Sequence, residues 1–146
     1  MAKVFDSDTG ARVVIVSDDH CPPHVHAAHR AEGWVVRIGF SFALSAPWIM
    51  SIAPSPIAVR QRQLGTMLLE VAAAQADCRR LWWDTQNTTC LENKWVVHAL
   101  SRPIHMLDER LAGARQIRIA AYRALGRATI VTFFDGSQDY IGGGTA

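Results

Sequence analysis

Apolar and polar positions alternate most regularly in the N-terminal third of the chain. Trp34, Val36, Ile38, Phe40 and Phe42 are interleaved with Val35, Arg37, Gly39 and Ser41. A period of two places the first set on one face of a β-strand. Arg12-Val13-Val14-Ile15-Val16 is a shorter run, rich in β-branched side chains, that follows the turn cluster Asp6-Ser7-Asp8-Thr9-Gly10. A second strand is expected to start near His24, and another short one to cover Trp48 to Ile52. Together they predict a small antiparallel sheet.

At Pro54-Ser55-Pro56 the pattern changes. Ser55 suits a helix cap and Pro56 a first helical position, where its missing N–H costs nothing. Ile57, Leu64, Met67, Leu68, Val71, Cys78, Leu81 and Trp82 then fall on one face of a helix running to Trp83. Thr88 or Thr89 would cap a shorter helix to about Leu100, with Leu91 and Trp95 sharing a face at four-residue spacing. Ile104 to Leu111 reads as one or two further helical turns. In the tail, Arg115 to Tyr122 alternates weakly and Ala128 to Phe134 is a strong β run. Asp135-Gly136 is a hairpin signal, and Ser137 to Ile141 returns. Strands, helices and strands in separate runs predict an α+β fold: a small antiparallel N-terminal sheet, one long and one shorter central helix, and a C-terminal β-meander. Residues 1–100 would form one domain, and 101–146 a linker and hairpin appendage packed on it.

Composition narrows the class. The chain has 146 residues, 49% apolar and 19% charged, which is globular composition without disordered bias. No apolar run is long enough to span a bilayer, so no membrane association is expected. A net charge of +2 neither requires nucleic acid nor forbids it. Cys21, Cys78 and Cys90 are sparse and odd in number, which fits a reducing compartment better than a disulfide framework. Met-Ala-Lys-Val-Phe-Asp lacks the apolar core of a secretory signal, and a cytoplasmic location is the expectation.

The chemistry concentrates in Ser17-Asp18-Asp19-His20-Cys21-Pro22-Pro23-His24-Val25-His26, with His29 just behind. If Val25 lies in a strand, His24 and His26 project from one face about 6–7 Å apart. Two imidazoles so placed can converge on a divalent metal such as zinc. His20 is harder to include, because a polyproline II path would start it roughly 12 Å from His24. A site using all three of His20, His24 and His26 needs a turn, or a cis bond at Cys21-Pro22 or Pro22-Pro23. Asp18, Asp19, Cys21, His29, His98 or His105 are the other residues that can complete a ligand shell. A metal-free alternative makes His24 and His26 general acid–base groups beside Asp18 or Asp19. In a third reading the prolines simply fix a loop-to-strand corner, and the histidines bond backbone carbonyls.

The segment Asp19 to Ala27 resembles the signature of a small, uncharacterised bacterial family with a His-x-Pro-Pro-His-x-His motif, a short sheet and a helix ending near a tryptophan. That resemblance covers about the first two-thirds of the chain. Thr132-Phe133-Phe134-Asp135-Gly136 is similar to the opening hairpin of a second uncharacterised family often encoded beside the first. Both resemblances imply a role in toxin–antitoxin or mobile-element modules.

Arg79-Arg80 followed by Trp82-Trp83 forms a basic–aromatic cluster on the expected helix. Arg79, Arg80, Trp83 and His29 are therefore the candidate binding surface, although Trp82 and Trp95 filling a helix–helix core is the simpler and favoured explanation of the tryptophans. The reading favoured at this level is a bacterial or phage-borne accessory protein that binds a macromolecule, a protein rather than nucleic acid, in an antitoxin-like or mobile-element regulatory role. A metal-dependent or histidine-based nuclease or hydrolase is the enzymatic alternative. A protein-binding inhibitor of a host defence complex is the third.

Overall fold

The computed structural model describes residues 1–98, 104–110 and 112–141. They divide into two compact units, Met1–Ser41 with Ser45–Gln86, and Phe42–Leu44 with Asn87–Ala146. The α+β expectation holds. The boundary does not fall at residue 100, because Trp95–His98 is a strand of the second unit's sheet.

The first unit is an antiparallel meander of β1 (Ala2–Asp6), β2 (Arg12–Ile15), β3 (His24–His29), β4 (Trp34–Gly39) and β5 (Trp48–Ala53), paired in chain order. Its core follows the period of two: Val13, Ile15, Val25, Ala27, Trp34, Val36 and Ile38 are all buried. Beyond the end of β4, Phe40 stays buried and its N–H bonds the Pro23 carbonyl at 3.0 Å.

The single helix expected over 57–83 is two, α1 (Gln61–Ala73) and α2 (Gln75–Gln86). Ser55 closes a turn with Ala58 instead of capping the helix. Ile57, expected on the apolar face, is exposed. At the true start, the Gln63 side chain accepts the Arg60 N–H at 3.0 Å, which satisfies one of the free donors of a helix N-terminus. Leu64, Met67 and Val71 on α1, and Cys78 and Trp82 on α2, are buried as their spacing predicts. Nothing in Ala72-Ala73-Ala74 explains the break. Glu70 accepts Ser7 Oγ and the Asp8 N–H, which ties the β1–β2 turn to α1.

In the second unit the strands β6 (Trp95–His98), β7 (Ile104–Leu107), β8 (Arg115–Arg123), β9 (Ala128–Phe133) and β10 (Gln138–Ile141) pair in the order β10-β9-β8-β6-β7. Helices were expected over 88–100 and 104–111. The reason for the difference is local. Thr88 and Thr89 hydroxyls accept the N–H groups of Cys90 and Leu91, closing turns that compete with helix. Asn87, Cys90 and Asn93 adopt left-handed backbone with φ of 55, 61 and 68°, which interrupts any helix there. Trp95-Val96-Val97 is then free to express its β preference. Leu100 and the Ser101-Arg102-Pro103 punctuation lie outside the described residues, as does the glycine-rich end. Phe42 belongs to this unit: Thr129 Oγ1 donates to its carbonyl at 2.7 Å, and its ring meets Tyr122 edge-on at 5.2 Å.

Among the described residues no helix is long and apolar enough to cross a membrane. The cysteine expectation needs correction, since Cys21 and Cys90 are each disulfide-bonded and only Cys78 is a free thiol. Burial, with the charge of Asp77 acting in the same direction, pushes the Cys78 thiol up to about 12. The thiolate is the reactive form. At pH 8 a thiol reagent is therefore expected to find no reactive cysteine in the native protein and one after denaturation without reductant. A native thiol reacting as fast as free cysteine would contradict this placement.

Candidate metal centre

The histidine segment leaves β2 through a sharp corner. Asp18 takes left-handed backbone (φ 57°), which aspartate tolerates better than most residues. Asp19 is thereby turned back toward the first residues of β3. The Cys21–Pro22 bond is cis, one of the two routes by which the sequence permits His20 to approach His24.

Asp19 is the hub. Its Oδ2 lies 2.9 Å from His24 Nε2 and 3.0 Å from His26 Nε2, and its Oδ1 accepts the His20 N–H at 2.9 Å. The rings of His24 and His26, two apart on β3, have centroids 5.0 Å apart. The strand placement thus brings them together as expected. His24 is completely buried, Asp19 is 10% exposed and His26 24%. The His24 ring rests against Trp82 at 5.6 Å, and the buried Trp82 Nε1 makes no hydrogen bond among the described residues. Burial pushes the Asp19 carboxyl upward. The hydrogen bonds from His26 and the His20 amide, with the charges of His24 and His26, outweigh it and leave the group below the ordinary carboxylate range. Asp19 is ionised at neutral pH.

The protonation pattern of His24 decides what this arrangement can do. Its Nδ1 is 2.8 Å from the Pro22 carbonyl. A carbonyl only accepts, so Nδ1 carries a hydrogen and donates it. In the neutral ring Nε2 is then a bare lone pair. It is buried and makes no hydrogen bond, because its 2.9 Å approach to Asp19 Oδ2 lacks hydrogen-bond alignment. Two acceptors at that separation need a cation between them, either a second proton on His24 or a metal ion. Asp19, His24 and His26 offer three donor atoms within 4.8 Å of one another. In a tetrahedral zinc site with bonds of about 2.1 Å, donors sit roughly 3.4 Å apart, and the two carboxylate–imidazole pairs, at 2.9 and 3.0 Å, are within about half an ångström of that. The Pro22 carbonyl bonded to the far nitrogen of His24 is the outer-shell partner that metal-bound histidines use. The residues fit the group.

His20, expected as a possible third histidine ligand, is close but separate. Its ring is 5.8 Å from that of His24, 74% exposed, and Nδ1 lies on the other Asp19 oxygen at 3.1 Å. Asp19 takes the third position, one of the completions the sequence left open. His29 is on the opposite face of β3, against Trp34 at 5.0 Å, with Nδ1 accepting the Glu32 N–H. The side chains of His98 and His105 lie outside the described residues.

Of the proposed binding surface, Arg79 does not lie at the surface. Arg79 is buried and its Nε donates to the Ser41 carbonyl at 2.9 Å. Arg80 is exposed but flanked by Asp77 and Asp84 at 3.6 and 3.9 Å, one helical turn away on either side. Trp83 is half-buried. Helical periodicity cannot tell that Arg79 shares a face with Cys78 and Trp82, because arginine is seldom buried unless paired.

No protein-family model matches the chain, and comparisons with curated proteins and with solved structures likewise find no match.

The two arginines should separate in mutation. Arg79→Ala is expected to lower unfolding stability by about 1–3 kcal/mol, since it leaves a buried acceptor short of its donor. Arg80→Ala should stay within about 0.5 kcal/mol. Urea unfolding of both variants measures this, and equal effects would mean Arg79 is not an internal strut.

Proposed function

We propose that this protein binds a divalent transition metal through Asp19, His24 and His26 and uses it in hydrolysis. The observation that carries the reading is the buried Nε2 of His24, which makes no hydrogen bond and lies 2.9 Å from the Asp19 carboxylate. A solvent-excluded atom in that state costs about 1–3 kcal/mol, and a bound cation removes the cost. Two imidazoles and one carboxylate leave coordination positions free, the pattern of catalytic rather than structural zinc sites, and also that of the iron(II) facial triad. An ion so held supplies Lewis acidity. The chain's own residues do the rest: Asp19 offsets part of the ion's charge, the Pro22 carbonyl fixes the tautomer of His24, and Trp82 keeps water from its inner side.

Elemental analysis of protein purified without chelator is expected to find close to one zinc, iron or manganese per chain. At about 100 times its Kd, the metal adds about 2.7 kcal/mol to stability, read as a raised Tm that His26→Ala and Asp19→Asn lose. A metal-free protein whose Tm no divalent ion shifts would end the reading. Hydrolysis, tested on ester and nucleic-acid substrates, should vanish in the His24→Ala, His26→Ala double variant.

One observation supports a second reading, the accessory protein that engages a protein partner in an antitoxin-like or mobile-element role. Cross-strand register places Ile119 with Thr132, and Ala121 with Ile130 and Tyr140, on one face of the second sheet. Ile119 and Tyr140 there are 53% and 67% exposed, and apolar side chains grouped in this way mark interaction surfaces. Serine at both positions should abolish partner binding without lowering Tm. As to location, the cytoplasm predicts three reduced cysteines, whereas disulfide-bonded Cys21 and Cys90 favour an oxidising compartment.

A further inference from the structure

Three strands present a second set of groups beside the centre. On the face of the sheet that carries His24 and His26, register aligns two cross-strand rows. One is His24 with Gly39 and Trp48, and the other is His26 with Arg37 and Ser51. Directly paired residues hold their side chains about 5 Å apart on a common face. An irregularity in the β4–β5 pairing beside Arg37 allows both Trp48 and Ser51, three apart in sequence, to join that face.

Each row is built. Gly39 has no alternative, because a Cβ there would lie 2.3 Å from the Trp48 ring. The indole therefore lies flat over the backbone opposite His24, yet keeps 40% of its surface exposed. Arg37 is half-buried and its Nε donates to Ser51 Oγ at 2.8 Å. That bond fixes the guanidinium plane and leaves its terminal nitrogens available, with no carboxylate paired to Arg37 among the described residues. A guanidinium opposite a metal-ligating histidine is otherwise unhelpful, since it repels the ion. One carboxylate, Asp19, does not balance a divalent ion and an arginine together. The missing partner is an anion.

We infer that the ligand of this centre carries an oxyanion, a carboxylate or a phosphate, held between the ion and the Arg37 fork, with its flat apolar part against Trp48. The inference rests on the metal reading. A planar guanidinium matches both oxyanions with paired N–H bonds, and an exposed indole face is the natural wall for a planar group.

Cobalt(II)-loaded protein tests it, because the visible spectrum reports both metal binding and changes at the open coordination positions. Inorganic phosphate and acetate are titrated separately, and the tighter one identifies the oxyanion. Phenyl phosphate is then compared with inorganic phosphate. Arg37→Ala should bind cobalt as the parent does and lose about 10- to 100-fold in oxyanion affinity. Arg37→Lys, which keeps charge without the fork, should fall between. Trp48→Ala should erase the preference for phenyl phosphate over phosphate. Oxyanions that leave the parent's cobalt spectrum unchanged, or that bind Arg37→Ala and Arg37→Lys as tightly as the parent, overturn this inference and leave the metal reading standing. A parent protein that takes up no cobalt overturns both.

Discussion

The hydrogen bond from His24 Nδ1 to the Pro22 carbonyl is the constraint on which the site depends. It closes over only two residues, so it forms wherever the corner forms, and it commits one nitrogen of a fully buried ring as a donor. The other nitrogen becomes an acceptor, Asp19 lies beside it, and His26 converges on the same oxygen from the next outward-facing position of β3. A second proton on the ring would make this corner a histidine–aspartate ion pair; the metal reading applies to the neutral ring.

The sheet matters to this site as a ruler. Residues 19–26 supply all three donors, but only the pairing of β3 with β4 and of β4 with β5 brings Arg37, Trp48 and Ser51 alongside. Those three are far from the histidines in sequence and carry no motif. They become neighbours through register, and a slip of one residue in β4 would send Arg37 into the core.

Much of the first unit was legible in the chain, because alternation in 34–42 and the β-branched run at 12–16 are strong period-two signals. The spacing of His24 and His26 was legible for the same reason. Asp19 was only one ligand candidate among several, since its position depends on a left-handed residue at 18 that no periodicity encodes. Arg79 was misread because charge outweighed its place between two buried neighbours. The stretch 88–98 was misread because threonines there serve turns, whereas the same residues at a helix start would have looked identical. Trp48 over Gly39 leaves only an isolated glycine in a strand as its trace, and that trace is ambiguous without the partner strand.

The carboxylate at position 19 meets two histidines with one oxygen. An amide there would have nearly the same shape, but a nitrogen turned to donate to His24 could no longer accept the hydrogen that His26 gives. Engineering for heat resistance at this position would therefore exchange one unsatisfied group for another.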